Sequence, residues 1–534
     1  MKKRMVAIFL MTTLVFSMTG CGRENADTEQ KREVTAYVGN SIFEGSLDPV
    51  KGAMSYGYSF INNALLKVNP HAEYEGDLAE SYTISEDALT YTFYLKKGIT
   101  FSDGSDFNAE DVVFTYETVH NHQGNNENVD LTRLESVTAI DDYTVEFQLK
   151  EPYSPFFDMA AMLQIVPSDA YQSDTFDTMP IGTGAWKVVQ YDSNQQIILE
   201  PNENYFDKVP ELSKVTLVYM DADAAFAAAG SGQLDIVMAG AGYAGETIDG
   251  MHLETFETMD VRNVSLPVRE EQTITDREGK EITVGNSVTS DKAVRQALTV
   301  GIDRAAIIEH GFQGVGAPAM SFTDNLVWAN AKEVLDGQRE QAAQILEEAG
   351  WVKEDGDGIR EKNGTKCEFT IYAPSGDNDR YLLAMALAED AANLGIQINV
   401  KTATWDEIVT LQNTCGVVWG WGQYSPTVLY SLFQSDLSFT GGYDNVVGYE
   451  NPAVDDKISE ALSSNSQESA IKAWEEVQQM ADKDYPYLYL VNIEHCYFVK
   501  DGLNLSKETQ IPHPHGHGSP IICNMKDWSW SKEK

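Results

Sequence analysis

The sequence predicts an α/β fold that is divided into more than one domain. The chain has 534 residues, which is more than one hydrophobic core usually supports, so we expect two or three domains. A strand, a helix and a second strand follow one another between Cys367 and Lys401, and this order is typical of a βαβ unit. The pattern of elements also changes after a polar stretch that ends near Val288, which we interpret as a domain boundary.

Elements in the first half of the chain are predicted from alternation, apolar periodicity and turn residues. Asn108-Ala-Glu-Asp111 has the pattern of an N-cap followed by an acidic third position, so it predicts the start of a helix. A helix-like stretch that carries Phe60 and Leu65 is also predicted before Lys67. The other predicted elements are strands at 33–39, 89–95, 144–149, 185–191, 196–200, 214–220 and 234–237, and a helix at 222–229.

The second half of the chain is richer in predicted helices. Ser290 and Asp303 are the predicted N-caps of two of them. Asn378 to Leu394 is predicted as an amphipathic helix that stops before Gly395, and Ile396 to Lys401 alternates strictly, as a half-buried strand does. The remaining predicted elements are helices at 339–349 and 466–483 and strands at 367–372 and 487–499.

Composition excludes some classes of function. The chain is 43% hydrophobic, which provides enough apolar side chains for packed cores and argues against general disorder. Its formal net charge is −44, so it repels nucleic-acid phosphates and anionic lipid, and nucleic-acid binding is excluded. The acidic balance either attracts cationic ligands or keeps an exported protein soluble, and the second interpretation is the more common one.

The N-terminus predicts export. Basic residues at 2–4 precede an apolar run, Met5 to Phe16, and small residues then lead to Cys21. This is the pattern of a secretory signal, and the run is too short for a stable transmembrane helix. The segment before Cys21 resembles a bacterial lipobox, with Met18 where leucine is commoner, and this implies a signal peptide at 1–20 and lipidation of Cys21. A plain signal peptide with a chance cysteine remains the alternative.

An aromatic stretch after a short apolar strand predicts part of a ligand site. Trp419, Trp421 and Tyr424 follow one another at close spacing, with glycines at 420 and 422 between the first of them. Glycine lets the backbone turn sharply and lets another molecule approach it, and aromatic faces suit the wall of a pocket. The residues alone leave a second interpretation open, in which Trp419 and Trp421 pack into a core.

Other motifs give little support to catalysis or to a cofactor. Gly240 to Gly245 matches G-x-G-x-x-G, but the helix and the acidic partner that a dinucleotide site needs are missing from the sequence pattern. The sequence contains no G-x-S-x-G and no H-E-x-x-H, and the cysteines after Cys21 form no C-x-x-C pair. We expect no cofactor and no enzymatic activity.

Three histidines near the C-terminus are a candidate metal site. His513, His515 and His517 alternate along a segment rich in proline and glycine. Histidines two apart on an extended segment point the same way, and imidazole binds nickel, copper and zinc. A surface or interdomain loop without metal is the competing interpretation, so no metal ligand is assigned firmly.

The chain resembles the extracellular solute-binding proteins, family 5, that serve peptide and nickel ABC transporters. The likeness covers nearly the whole chain after the signal peptide. The motifs that carry it are Gly76–Glu80, Leu89–Gly104, Asn108–Tyr116, Ile181–Gly184, Asn202–Phe206, Val294–Leu298 and Ile302–Arg304.

The resemblance implies a two-lobe periplasmic-binding-protein-like fold of type II, in the large cluster with an extra domain inserted into lobe I. Two crossing segments form its hinge, and ligand is enclosed when the lobes close. The implied domains are a tether at 21–32, lobe I at 33–70, 182–288 and 495–534, the inserted subdomain at 71–181, and lobe II at 289–494.

The resemblance also implies where ligand binds. Peptide binders of the family commonly anchor the peptide amino group on an aspartate shortly after the Trp-rich strand, and this chain has Ser425 there. Nickel binders use aromatics and a histidine, and the nearest histidine after the loop is His495. The predicted ligand contacts are Met54 and Tyr56 from lobe I, and Trp419, Trp421, Tyr424 and Ser425 from lobe II.

The function implied is that of a lipid-anchored, monomeric substrate-binding subunit of an ABC importer. It would lie on the outer face of the cytoplasmic membrane and deliver peptides to the permease. A nickel or other metal-chelate binder is the alternative, and an exported hydrolase is a distant third.

Overall fold

The computed structural model describes most of the chain after residue 31. The described residues are 32–43, 45–52, 60–121, 126, 129–277, 279–322, 324–330, 336–353, 356–422, 425–511 and 520–531.

Strands and helices alternate along the described chain. Up to residue 201 the elements are β1 (Glu33–Tyr37), β2 (Leu66–Val68), β3 (Tyr74–Gly76), β4 (Ala79–Ile84), β5 (Thr90–Leu95), α1 (Ala109–Asn121), β6 (Leu134–Asp141), β7 (Thr144–Leu149), α2 (Phe156–Met162), α3 (Ser173–Phe176), β8 (Trp186–Asp192) and β9 (Gln196–Pro201). They continue with β10 (Lys214–Val218), α4 (Ala222–Gly230), β11 (Ile236–Ala239), β12 (Met251–Ser265), β13 (Gln272–Thr275), β14 (Glu281–Val284), α5 (Lys292–Gly301), α6 (Arg304–Phe312), β15 (Ala317–Pro318) and α7 (Arg339–Glu348). The last elements are β16 (Glu361–Lys362), β17 (Thr365–Lys366), β18 (Glu368–Pro374), α8 (Asn378–Ala392), β19 (Gln397–Ala403), α9 (Trp405–Leu411), β20 (Gly416–Trp421), α10 (Thr427–Phe433), α11 (Pro452–Leu462), α12 (Gln467–Ala481), β21 (Tyr487–Lys500), β22 (Leu503–Asn504) and β23 (Ser529–Trp530).

One sheet of 11 strands runs through the middle of the molecule. Its main order is β19-β18-β20-β12-β21-β11-β1-β10-β9-β8, and β15 pairs with β21 outside this path. β12 and β21 lie antiparallel to each other in its centre, with a register shift between Glu257 and Val261. The chain passes between the two halves of the sheet through these two strands. The architecture is therefore the predicted two-lobe α/β fold.

The predicted βαβ unit is confirmed in the second half of the sheet. β18 and β19 pair in parallel, with Glu368 opposite Gln397, and α8 connects them. Leu383, Leu387 and Ala391 on one face of α8 are fully buried. This burial explains the apolar periodicity of the helix, since each of these side chains gains by leaving water.

A second sheet, of four strands in the order β4-β5-β7-β6, packs with α1 around its own apolar core. The predicted start of α1 is confirmed by reciprocal hydrogen bonds. The backbone N–H of Asn108 donates to the Asp111 carboxylate at 2.9 Å, and the backbone N–H of Glu110 donates to the Asn108 side-chain oxygen at 2.8 Å. These bonds satisfy backbone donors that the first turn of a helix leaves open.

The prediction of a helix-like stretch before β2 is wrong for the residues of that stretch that the structure describes. Residues 60–65 contain no helix. Instead, the carbonyl oxygens of Phe60 and Ile61 accept hydrogen bonds from the backbone N–H groups of Trp186 and Gly184, at 3.1 and 2.7 Å. A Cβ on residue 184 would lie 2.5 Å from the Ile61 carbonyl carbon, so glycine permits this pairing. A partner distant in sequence overrides the local apolar pattern.

The predicted helix starts in the second half are nearly correct. Asp291, rather than Ser290, caps α5, because its carboxylate accepts a hydrogen bond from the Ala293 N–H at 2.9 Å. Asp303 caps α6 as predicted and accepts from the Ala306 N–H at 2.9 Å. The G-x-G-x-x-G segment forms a short 3-10 turn, Ala241–Tyr243, and no α-helix follows it before β12.

The exact domain boundaries stay predictions. The predicted signal peptide at 1–20 lies outside the described residues, as does the predicted tether up to residue 31. No helix among the described residues is long and apolar enough to cross a bilayer.

Candidate functional site

Three parallel strands end together at one edge of the central sheet. β18 pairs in parallel with both β19 and β20, and the three strands end at Pro374, Ala403 and Trp421. Helices begin shortly after each strand, with Asp377 capping α8 and Thr404 capping α9 in a full capping box. Ligands of open α/β sheets bind outside the carboxyl ends of the strands. We call these three strand ends the carboxyl edge and treat it as the candidate site.

Four aromatic side chains gather at the carboxyl edge. Trp405 stacks on Trp419 with ring centroids 5.5 Å apart and an interplanar angle of 24°. The centroid of Trp421 lies 5.8 Å from that of Trp419, and Tyr443 meets Trp419 edge to face at 5.7 Å. Trp419 is 3% exposed, and its Nε1–H donates to Ser265 Oγ at 3.0 Å. Trp419 is therefore the buried centre of the cluster, and the other rings lie around it.

Trp421 differs from Trp419 in its polar contacts. It is half-buried at the end of β20, and its Nε1–H is buried without a hydrogen-bond partner among the described residues. A buried donor that lacks a partner is rare in native proteins, because an unmade hydrogen bond destabilises the folded state. A ligand acceptor at the carboxyl edge would supply the missing partner.

The glycines around Trp421 make room for strand β12. A Cβ on Gly422 would lie 2.0 Å from the carbonyl oxygen of Met259, and one on Gly420 would lie 1.8 Å from Arg262 Nη1. The chain thus leaves the sheet directly against β12, which explains why both positions lack a side chain. The Arg262 guanidinium takes the space that Gly420 leaves open.

A buried ion pair lies below Gly420. Arg262 Nη1 donates to Asp260 Oδ1 at 2.6 Å, and the Asp260 side chain is fully buried. His495 on β21 is also buried nearby, and this burial lowers its pKa to about 4, with the Asp260 charge opposing and the Arg262 charge adding to the effect. His495 is consequently neutral at pH 7.

A second guanidinium reaches the carboxyl edge from α8. Arg380 lies with its Cζ 5.4 Å from the centroid of the Trp405 ring, and its Nη1 is 3.3 Å from Asp377 Oδ2. Burial and, to a smaller extent, the neighbouring Arg262 charge lower the pKa of Arg380 to about 10. Because this value is still well above 7, Arg380 remains a cation beside the aromatic rings.

The loop after Trp421 contacts the four-stranded subdomain. Ser425 is buried, and its side chain hydrogen-bonds to the carboxylate of Asp158 on α2. Burial raises the pKa of Asp158 to about 7, and the bond to Ser425 lowers it only in part. Asp158 and Pro426 line a cavity of about 190 Å³ between the subdomain and helix α12.

The sequence of this chain matches a known family over most of its length. The family model described as bacterial extracellular solute-binding proteins, family 5 Middle, matches residues 73–442. The chain belongs to this family. This membership agrees with the resemblance that the sequence motifs indicated. Proteins of this family serve ABC importers as substrate-binding proteins rather than as enzymes.

Two curated relatives of the family 5 protein match nearly end to end. Protein XP55 of Streptomyces lividans is 31% identical over 493 residues, which cover 89% of this chain and 87% of that protein. The oligopeptide-binding protein AppA of Bacillus subtilis is 27% identical over 529 residues, which cover 92% of this chain and 94% of AppA.

Solved structures with the same fold also match nearly the whole chain. The structure of Bacillus subtilis AppA in complex with a nonapeptide has a TM-score of 0.68 at 24% identity and covers 94% of this chain and 100% of AppA. NikA from Brucella suis in complex with Fe(III)-EDTA has a TM-score of 0.77 at 19% identity and covers 93% of this chain and 100% of NikA. At these identities the structures establish the fold alone.

The structure brings some of the predicted site residues of the family 5 protein together. Trp419 and Trp421 lie side by side at the carboxyl edge, and Ser425 follows at the start of α10. The other predicted residues lie outside the described residues, and these are Cys21, Met54, Tyr56, Tyr424, His513, His515 and His517. That each of the predicted ligand residues contacts a ligand remains a prediction. Among the described residues, no group of three or more His, Cys, Asp or Glu side chains could hold a metal ion.

Several residues of the candidate site were not predicted from the sequence. Trp405 had a usable signal, because Thr404-Trp-Asp-Glu407 is a capping-box pattern directly after a strand, and it places Trp405 in the first turn of a helix at the carboxyl edge. Arg380 and Tyr443 carry no comparable local signal. Asp158 reaches Ser425 only through the packing of two regions distant in sequence.

Proposed function

We propose that this protein captures peptides between its two lobes and delivers them to the permease of an ABC importer. The observation that carries the proposal is the similarity to the oligopeptide-binding protein AppA, which extends over 92% of this chain. The carboxyl edge supports it physically. Aromatic rings suit peptide side chains, and the Trp421 N–H, which has no partner in the part of the chain that the structure describes, suits a peptide carbonyl.

The closing of the two lobes would follow from the way ligand is held. A peptide that touches both halves of the central sheet gains contacts only when the halves approach each other. Its binding then shifts the population towards the closed form by the free energy of those extra contacts. The predicted ligand residues Trp421 and Ser425 on one side, and Met54 and Tyr56 on the other, are part of this proposal.

Export and anchoring are part of the proposal as well. The N-terminal pattern supports cleavage before Cys21 and lipid attachment there, which would hold a monomeric protein on the outer face of the cytoplasmic membrane. Mass spectrometry of the mature protein from a lipidating host tests this assignment. An unmodified Cys21, or an N-terminus elsewhere, contradicts it.

Native mass spectrometry tests the choice of ligand. The purified protein is mixed in parallel with a pool of short peptides and with nickel plus free histidine. We expect mass shifts that match peptides. A shift that requires nickel supports the metal-chelate alternative instead, and hydrolysis of the peptides would support the exported hydrolase.

A further inference from the structure

Asp158 is a buried carboxylate whose polar neighbours are neutral. Its side chain lies on α2 and is 4% exposed. The hydroxyl groups of Tyr74 and Ser425 hydrogen-bond to it. Burial raises its pKa to about 7, and no charged residue contributes to this shift. Two neutral donors do not balance a full negative charge, so a buried carboxylate in this setting favours either a proton or a bound cation.

Among the described residues, the cavity beside Asp158 is lined by no basic side chain. The described residues that line it include Glu73 and Asp158, and no Lys, Arg or His. The charge of the lining is therefore negative, within a protein whose formal net charge is already −44. An anionic ligand group would be repelled here, whereas a cation would find an uncompensated carboxylate.

The remaining walls of the cavity are largely aromatic. Phe157 stacks on Tyr74 with centroids 6.2 Å apart and meets Tyr91 edge to face at 5.6 Å. Trp328 and Trp474 also line the cavity. The Nε1–H of Trp474 is buried without a hydrogen-bond partner among the described residues. The cavity thus combines apolar surface, two carboxylates, of which Asp158 is the buried one, and one buried indole donor.

We propose that this cavity binds the ammonium group of a ligand on Asp158 and the adjacent apolar group against the aromatic walls. If the ligand is a peptide, the ammonium group is its N-terminal amine and the apolar group is its first side chain. This assignment to a peptide rests on the proposed function. The Trp474 N–H would donate a hydrogen bond to a carbonyl oxygen of the ligand. The competing explanation is a carboxylic acid that stays protonated and serves only as a hydrogen-bonded contact between α2 and the loop before α10.

A comparison of matched small molecules tests the ammonium site without any peptide. Isothermal titration calorimetry of the full-length mature protein at pH 7.5 compares phenethylamine with 2-phenylethanol. The two probes share the aromatic group and differ in the ammonium. We expect about tenfold tighter binding of the amine, because a hydrogen bond to a charged group adds that much. Equal affinities, or no binding of either probe, overturn the proposal.

Variants locate the preference on Asp158. Asp158→Asn keeps the size of the side chain and removes its charge, so we expect the preference for the amine to disappear. Glu73→Gln is the matched control, since it removes the other acidic group of the lining, and it should retain the preference. Thermal unfolding verifies that each variant is folded. A preference for the amine that persists in folded Asp158→Asn also overturns the proposal. If that variant does not fold, the comparison of phenethylamine with 2-phenylethanol on the wild-type protein decides.

A peptide pair separates this site from the proposed function. Trileucine and N-acetyl-trileucine differ in the charge of the N-terminus. If both peptides bind with equal affinity, peptide capture stands and the ammonium site is wrong. If neither peptide binds and phenethylamine still depends on Asp158, the ammonium site stands and peptide capture is wrong.

Discussion

The indole N–H of Trp419 donates to the hydroxyl oxygen of Ser265 at 3.0 Å and links strand β20 to the long strand β12. Ser265 is fully buried, and the same hydroxyl accepts a second hydrogen bond from the Val417 N–H at 3.2 Å. This pair fixes the centre of the aromatic cluster to the strand that crosses between the lobes.

Trp419→Ala is expected to destabilise the protein strongly. The substitution removes a buried aromatic ring and leaves a cavity, which lowers the free energy of unfolding by about 3–5 kcal/mol. Ser265→Ala removes only the hydroxyl and should lower it by about 1–3 kcal/mol, since it leaves the buried Trp419 N–H without an acceptor. Urea unfolding measures both. A Trp419→Ala variant as stable as the wild type would contradict a core role for this ring.

Trp421→Ala is expected to weaken ligand binding more than folding. Trp421 is only half-buried, and its buried Nε1–H has no hydrogen-bond partner among the described residues. Loss of an aromatic contact at the centre of a site weakens binding by about 2 kcal/mol, or about thirtyfold. Calorimetry with a peptide identified by native mass spectrometry measures the affinity. Trp421→Phe keeps the ring and removes the N–H, so it separates the two contributions. Unchanged affinity of Trp421→Ala would remove this residue from the site.

Gly422→Ala is expected to disturb the sheet. The added Cβ would lie 2.0 Å from the Met259 carbonyl oxygen, which is backbone and cannot rotate away. The resulting shift of β12 or β20 lowers the free energy of unfolding by about 1–3 kcal/mol. Gly242→Ala is the control, because nothing lies within 4 Å of its added Cβ. Similar unfolding curves for the two variants would mean that the close approach at Gly422 is absent.

His495→Gln is expected to reduce the loss of stability in acid. The folded protein holds the pKa of His495 near 4, whereas an exposed histidine titrates near 6.5. Between these values the unfolded chain binds a proton that the folded chain does not, so stability falls as the pH is lowered from 6.5 to 4. The wild type should lose about 3 kcal/mol relative to His495→Gln across this window.

Urea unfolding of both proteins at pH 7, 5.5 and 4.5 measures this effect. Asp158, whose raised pKa makes the folded protein more stable in acid, is present in both proteins and cancels in the difference. A difference that stays constant with pH would show that His495 titrates normally.

Local patterns in the sequence predicted the elements whose partners are close along the chain. The βαβ unit around α8 and the start of α1 at Asn108 depend on periodicity and capping, and both are confirmed. No strand was predicted at β12, although this is the longest strand described. Its residues, Met-His-Leu-Glu-Thr-Phe-Glu-Thr-Met-Asp, carry many charges, and its pairing depends on β20 and β21, which are far away in sequence.

The candidate site shows the same division. The glycines around Trp421 were interpreted as allowing a sharp turn and the approach of another molecule, whereas in the structure the close neighbour is strand β12 of the same chain. No local pattern indicated that Asp158 meets Ser425, because only the packing of α2 against the loop before α10 brings them together. From the sequence, Ser425 stands where peptide binders of the family commonly have an aspartate, and in the structure its side chain hydrogen-bonds to the carboxylate of Asp158.

The paired strands β12 and β21 have a mechanical consequence. A two-stranded ribbon resists stretching along its hydrogen-bonded strands, yet bends across its face, most easily where the register shifts between Glu257 and Val261. We therefore expect any relative motion of the two halves to bend the ribbon near this register shift. A distance between spin labels, on α4 and α11 for example, would follow such motion in solution.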